Sequence, residues 1–268
     1  MCLILFAWKV RADMPLIVAA NRDEWHQRPA TAATWWPGQT DLLAGRDLQA
    51  GGAWLGVTRT GKFAAITNFR GPSPLVAHVT SRGHLVVDYL RGEKTPQQYL
   101  DQVTTRHGNY HGFNLLLGDA KHLLYYSSVD NKIEAVPPGI HGLSNRVLNT
   151  SWPKVAIGRF ALGRAIEPEV PEDAIPERLL AILSNPSRAA EELLPDTGVG
   201  LEWEHKLSPA LIISPDYGTR CSTIFIARSI ANRATSSIRT RASFIEHGRN
   251  PLGDIISTAT FEFSHAAR

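Results

Sequence analysis

The amino-acid sequence predicts an α+β fold in which stacked antiparallel sheets lie between helical layers. Two hairpin-rich stretches bracket two helical stretches, and the early hairpins argue against an alternating β–α–β winding. The length of 268 residues and a hydrophobic content of 43% allow one large core, and no internal repeat divides the chain. We therefore expect a single domain over residues 1–268.

The chain begins with two apolar runs that predict a pair of buried strands. Leu3–Val10 is apolar almost throughout, which is typical of a strand buried on both faces. Arg11–Pro15 has the composition of a turn, and Leu16–Ala20 is a second apolar run. The two strands are expected to pair in antiparallel orientation.

The second apolar run leads into four polar residues, Asn21-Arg22-Asp23-Glu24. If the extended geometry continues through them, Asn21 and Asp23 share one face and the other two share the opposite face. This alternation would bring a carboxylate to the sheet end at which the chain begins.

A long segment and a hairpin follow. His26–Gln39 contains Trp35 and Trp36 and is expected to be a surface loop. Gly51–Val57 and Phe63–Asn68 then predict a strand–turn–strand unit around Thr60-Gly61-Lys62.

Helical patterns occupy two further regions. His84–Leu90 predicts a short helix, and Thr95 before Pro96 is a helix-start signal. Trp152–Leu194 predicts a helical block with two apolar faces. Additional strands are expected at His111–Gly118, His122–Ser127, Ala210–Ser214, Cys221–Ala227, Ile238–Ile245 and Thr260–Ser264.

Composition narrows the class of function. A net charge of +3 with dispersed basic residues gives no basis for nucleic-acid binding. The two cysteines form neither a disulfide framework nor a metal-ligand spacing, so we expect a reducing compartment and no metal. We also expect no cofactor. No signal peptide or membrane span is recognisable, which predicts a cytoplasmic protein without integral membrane contact. The oligomeric state is left open.

Cys2, directly after the initiator methionine, is the candidate nucleophile. Removal of Met1 would give Cys2 both a thiol and an α-amine with a reference pKa of about 7.7–8.0, which pairs a nucleophile with a base. Without that processing, a small buried core residue explains Cys2 equally well. The other cysteine, Cys221, lies in an apolar run and is expected in the core.

A set of ordered motifs resembles the NRDE family, whose eukaryotic members are called transport and Golgi organisation protein 2. The resemblance covers the chain up to about Ile226, and the C-terminal forty or so residues match less clearly. The motifs are Met1-Cys2, Asn21-Arg22-Asp23-Glu24, Gly51-Gly52-Ala53-Trp54-Leu55-Gly56, Thr67-Asn68-Phe69-Arg70, Leu143-Ser144-Asn145, Trp152-Pro153-Lys154 and Tyr217-Gly218-Thr219-Arg220.

A more distant resemblance is to N-terminal nucleophile hydrolases of the choloylglycine hydrolase and penicillin acylase type. It implies a four-layer αββα sandwich and cleavage of non-peptide amide bonds. It also implies roles for five residues: Cys2 as nucleophile, Asp23 as the acidic residue, Asn68 and Asn145 beside the oxyanion, and Arg220 as the cation near the thiol.

One position departs from that pattern. The hydrolases carry an arginine three residues before the aspartate, where this chain has Ala20. Arg22 is close in sequence but is expected on the face opposite to Asp23. Either the guanidinium is supplied differently, or the substrate class has changed, or hydrolysis has been lost.

The candidate substrate-binding residues are Asn21, Arg22, Gly51, Gly52 and Trp54. A glycine pair predicts a bulge or a close backbone approach, and substrate passing over bare backbone is the functional alternative. The tryptophan pair in the predicted loop could line an apolar ligand or simply pack there.

Two functions follow from these observations. The first is hydrolysis of a small non-peptide amide or acyl substrate by Cys2. The second is a non-catalytic carrier of a hydrophobic metabolite such as haem, a lipid or an acyl-coenzyme A, which the family resemblance implies. A trafficking scaffold, which the family name suggests, has no support in the sequence.

Overall fold

A computed structural model describes residues 2–71, 80–232 and 237–266. Within these ranges the chain forms thirteen strands and five α-helices. The strands are β1 (Cys2–Trp8), β2 (Leu16–Trp25), β3 (Ala30–Trp36), β4 (Gln39–Asp47), β5 (Leu55–Thr58), β6 (Phe63–Asn68), β7 (Phe113–Gly118), β8 (Leu123–Ser127), β9 (Lys132–Ala135), β10 (Gly139–Leu143), β11 (Tyr217–Asn232), β12 (Ser237–Arg249) and β13 (Ile255–Ala266). The helices are α1 (Gly83–Arg91), α2 (Pro96–Arg106), α3 (Pro153–Ala165), α4 (Ile175–Leu183) and α5 (Leu201–Leu207).

The chain divides into two compact units. The first comprises Met1–Gln27, Pro138–Arg228 and Ala242–Glu262, and the second comprises Arg28–Pro137, Ser229–Arg241 and Phe263–Arg268. Each unit has its own apolar core, because the strands of each sheet bury one face against helices.

The first unit is organised around a six-stranded sheet with the order β10-β1-β2-β11-β12-β13. Strand β1 lies between β10 and β2 and pairs with both in antiparallel orientation. All seven of its residues are buried, as its unbroken apolar run predicts. On one face, Leu3 and Leu5 pack with α3 and α4 through residues such as Val155 and Leu179.

Helix α3 comes close to this sheet at a glycine. A Cβ atom on Gly158 would lie 2.7 Å from Cδ1 of Leu5, so a larger residue there would require the Leu5 side chain to move. Pro153 occupies the first turn of α3, where its missing N–H leaves no donor unpaired. The helix starts where the sequence predicts.

The second unit contains a seven-stranded antiparallel sheet in which the strands follow one another from β3 to β9. Helices α1 and α2 contribute Leu85, Tyr89 and Leu100 to its core. The predicted start of α2 is confirmed: Thr95 and Gln98 form a reciprocal capping box.

The α+β class is confirmed, since each unit combines one antiparallel sheet with helices. Two local predictions are wrong. The predicted loop at His26–Gln39 contains β3, whose short run of threonine, alanine and tryptophan is half exposed and therefore lacks a buried-strand signature. The predicted strand at Ala210–Ser214 is irregular, and β11 begins only at Tyr217. Within the described ranges, no helix has the length and apolar composition that crossing a membrane requires.

Candidate active site

Cys2 opens β1 and belongs to a row of three side chains that crosses three strands. Cys2 lies directly opposite Arg22 on β2, and Arg22 lies opposite Cys221 on β11. Residues opposite one another in an antiparallel pair share a face, with Cβ atoms roughly 5 Å apart. Cys2 and Arg22 are 7% and 8% exposed, and Cys221 is partly exposed. Arg22 therefore lies between the two thiols on one face of the sheet.

Asp23 and Asn21 lie on the opposite face, as the alternation of β2 predicts. Asp23 is 1% exposed, and its carboxylate accepts a hydrogen bond from Thr219 Oγ1 at 2.7 Å. The hydroxyl of Tyr217 donates to the Asp23 carbonyl oxygen at 3.0 Å. Two side chains of β11 thus hold Asp23 in place.

The electrostatic environment of the Cys2 thiol is mixed. Burial raises its pKa, and the neighbouring Asp23 carboxylate raises it further. The Arg22 guanidinium and the backbone N–H of Asp23 act in the opposite direction. A raised pKa keeps the thiol protonated near neutral pH, so attack by its sulfur requires a base.

Lys154 is a buried cation near Asp23 to which the sequence assigned no role. Burial raises the pKa of Asp23, and the strongest opposing influence is the positive charge of Lys154. Lys154 is itself buried in the first turn of α3, where its Nζ donates to Leu207 O at 2.8 Å. The sequence does contain a signal for this buried cation, because Lys154 belongs to the motif Trp152-Pro153-Lys154 at the start of a helix.

The turn after β10 brings Asn145 to the start of β1. Ser144 Oγ lies 3.0 Å from the carbonyl oxygen of Cys2 and 3.2 Å from Asn145 Oδ1, and both residues are fully buried. Ser144, a residue to which the sequence assigned no role, therefore connects Asn145 to the backbone of Cys2.

Arg220, the cation expected near the thiol, lies on β11 next to Cys221. It is the extra residue at a bulge between Thr219 and Cys221, and its guanidinium donates to Trp25 O at 2.9 Å. The arginine whose charge lowers the pKa of the Cys2 thiol is Arg22. Burial and the charge of Arg22 both lower the pKa of Arg220 itself.

Asn21, a candidate for substrate binding, uses its side chain to join elements of the fold. Its Nδ2 donates to Leu183 O and to Ala210 O at 2.8 Å each, and its Oδ1 accepts from Ser222 Oγ at 2.7 Å. Arg249 donates to the same Ser222 hydroxyl. These contacts of a fully buried amide support a structural role.

Replacing Asn21 with alanine is expected to lower the free energy of unfolding by about 3 kcal/mol, because it strips hydrogen bonds from buried partners. Urea denaturation of the two proteins measures this difference. Asn185→Ala is the matched control, since Asn185 is exposed and its side chain accepts one backbone hydrogen bond. Equal losses in both variants would contradict the structural role of Asn21.

The remaining candidates belong to the second unit. Gly51 has a φ of +77° in the turn after β4. A Cβ atom on Gly52 would lie 2.4 Å from the backbone of Gly83, at the start of α1, so protein backbone makes the predicted close approach. Trp54 precedes β5 and is partly buried, and Asn68 ends β6 opposite Phe113.

Aromatic residues lie beside Asp23 in the first unit. Trp25, Trp203 and Tyr217 pack edge to face with ring centroids 5.4–5.9 Å apart, and Trp25 is 47% exposed. The tryptophan pair in the predicted loop has packing roles instead: Trp35 contacts Phe263, and Trp36 is buried. Within the described ranges, no group of three His, Cys, Asp or Glu side chains is placed to hold a metal ion.

Comparison with known proteins shows to which family this chain is similar. The model of the family described as "Transport and Golgi organisation 2" matches residues 1–240. The chain is 36% identical over 248 residues to the Transport and Golgi organization protein 2 homolog of Bos taurus, covering 84% of this chain and 88% of that protein. For the homolog of Homo sapiens, the identity is 34% over 251 residues with the same coverage.

Among solved structures, the chain resembles a Caenorhabditis elegans N-acylethanolamine-hydrolyzing acid amidase ortholog with a TM-score of 0.43 and 9% identity. The match covers 83% of this chain and 92% of that one.

Proposed function

This chain belongs to the Transport and Golgi organisation 2 family, as its motifs predict, and on that premise we propose that it is an N-terminal cysteine hydrolase of small non-peptide amides or acyl compounds. The observation that carries the proposal is the position of Cys2. It opens a buried strand, opposite Arg22 and beside Asp23. A nucleophile at the chain start thus has a cation on its own face of the sheet and a carboxylate on the opposite face, at the same sheet end.

Removal of Met1 would supply the base. In the antiparallel register, Cys2 pairs with Arg22, the residue next to Asp23, so the backbone nitrogen of Cys2 lies at the sheet end that carries Asp23. An α-amine created there is expected to be oriented by the Asp23 carboxylate. Since that carboxylate is held by Thr219, it can fix the amine near the thiol.

The reaction has two stages. The α-amine takes the thiol proton while Sγ bonds to the substrate carbonyl carbon, which forms a tetrahedral oxyanion. The oxyanion collapses, the C–N bond breaks, and the protonated α-amine gives its proton to the leaving nitrogen. Water then attacks the thioester, releases the acid and restores the thiol. Asn145 is the oxyanion donor in the first unit, and such a donor contributes roughly 2.7–4 kcal/mol.

Arg22 is our proposed explanation for the departure at position 20. Residues 20 and 22 are two apart on β2 and share the face that carries Cys2, because Ala20 pairs with Ile4 and Arg22 with Cys2. We propose that Arg22 supplies the guanidinium beside the thiol. As expected, the Arg22 side chain lies on the face of the sheet opposite to that of Asp23. This is the face that carries Cys2.

Arg22→Gln is expected to slow alkylation of Cys2 by iodoacetamide at pH 8, because loss of the positive charge disfavours the thiolate. If the thiol pKa rises by one, the thiolate fraction at any pH below that pKa falls about ten-fold, and the rate of labelling falls with it. The measurement is the rate of labelling of the Cys2 peptide against pH. Arg220→Gln is the control and should leave the profile unchanged, since that guanidinium binds Trp25 O. An equal change in both variants would refute the role of Arg22.

A carrier of a hydrophobic metabolite is the alternative, and the burial of Cys2 favours it, because a 7%-exposed thiol with a raised pKa suits packing better than attack. Titration with haem and with palmitoyl-coenzyme A distinguishes the two functions. Equal affinity in wild type and Cys2→Ser, with neither amide nor thioester cleaved by wild type, would establish the carrier.

A further inference from the structure

Strand β13 forms one edge of the six-stranded sheet. It has 12 residues, and within the part of the chain that the structure describes its neighbour in the sheet is β12. An edge strand presents a row of backbone N–H and C=O groups that can pair with another strand. The opposite edge of this sheet, β10, has 5 residues.

The composition of β13 lacks the devices that protect natural edges. From Ile255 to Phe263 it contains isoleucine, threonine and phenylalanine, with Glu262 as its single charged residue and no proline, lysine or arginine. Such a sequence has a high propensity for strands and little charge to repel a second strand.

Solvent reaches large apolar side chains at the start of this edge. Leu252, Ile255 and Ile256 are 72%, 43% and 67% exposed. Because neighbouring residues of a strand point to opposite faces, Ile255 and Ile256 leave apolar surface on both sides of the sheet. The edge also lies beyond residue 240, where the match to the family model ends.

We propose that β13 pairs with the β13 of a second copy of this chain, in antiparallel orientation about a two-fold axis. A strand is matched in length and charge by its own copy, whereas the 5-residue edge β10 would leave more than half of β13 unpaired. Two-fold pairing uses each copy's β13 edge once, so the assembly closes as a dimer and does not grow into a filament.

Thr260→Lys tests the pairing. Thr260 is exposed near the middle of β13, so the two-fold axis brings both copies of residue 260 close together, and two lysines there would repel. Light scattering after size-exclusion chromatography should show a dimer for the full-length wild type at micromolar concentration. The dimer dissociation constant should rise about ten-fold or more in the variant, with an unchanged circular dichroism spectrum.

Thr31→Lys is the matched control, because Thr31 is exposed on β3, an edge strand of the seven-stranded sheet. It should leave the dimer intact. A monomeric wild type, an open-ended assembly, or loss of the dimer in the control variant alone would overturn the proposal.

Hydrogen exchange provides a second readout that does not depend on any variant. Backbone amides of Ile255–Phe263 should exchange more slowly in concentrated than in dilute wild-type protein, while those of β3 should not change. Equal exchange of β13 at both concentrations would also overturn the proposal.

Discussion

Cys2→Ala is expected to abolish amide hydrolysis, with turnover falling on the order of 10³-fold or more, because the sulfur forms the bond that the reaction requires. Para-nitroanilides of short- and long-chain fatty acids are suitable probes, since release of para-nitroaniline is read directly by absorbance. Alanine preserves the small size of residue 2, so the thermal unfolding midpoint should change little.

Cys221→Ala is the control for this experiment. Cys221 lies on the same face, beyond Arg22, and is at least as accessible as Cys2. Burial and the neighbouring Glu246 raise its pKa well above the ordinary value. The control should retain activity. Undiminished hydrolysis in Cys2→Ala would refute the mechanism, and equal loss in both variants would point to general damage to this face.

Asp23→Asn is expected to increase stability at neutral pH while removing activity. Burial raises the pKa of Asp23, so the folded state holds its proton to a higher pH than the unfolded state does. The contribution of Asp23 to the stability of the folded wild type is therefore fully present below the ordinary aspartate pKa. It is lost as pH rises through the pKa of Asp23 in the folded state. A folded pKa that lies one above the unfolded pKa corresponds to roughly 1.4 kcal/mol of stability. Asparagine can still accept the Thr219 hydrogen bond.

The measurement is the free energy of unfolding of both proteins from pH 4 to pH 8. The advantage of Asp23→Asn over wild type should grow with pH. Asp13→Asn provides a control of opposite sign, because the Arg11 hydrogen bond lowers the pKa of Asp13. Its small stabilising contribution should be present at neutral pH and lost in acid. A stability advantage of Asp23→Asn that does not change with pH would contradict a buried, ionisable Asp23.

Much of this geometry could be predicted from the sequence. The unbroken apolar run of β1 and the polar end of β2 predict adjacent strands that bring Cys2 and Asp23 to one sheet end. Period-two alternation along β2 predicts that Arg22 and Asp23 point to opposite faces of the sheet. These predictions succeed because they rest on local rules of strand geometry.

Register could not be predicted, and register decides the roles of the charged residues. Whether a guanidinium lies beside the thiol depends on Arg22 pairing with Cys2, and on the bulge that turns Arg220 toward Trp25. The buried Lys154 and the hydrogen bonds of Asn21 depend on contacts with residues far away in sequence. Such contacts between distant residues cannot be predicted from the periodicity of a single sequence.

Timed alkylation with iodoacetamide, read by mass spectrometry of the native protein, tests the central claim most directly. The account predicts an intact mass without Met1, and an N-terminal Cys2 that labels faster than Cys221 in the same molecule. A retained Met1, or a Cys2 that labels only after unfolding, would contradict it.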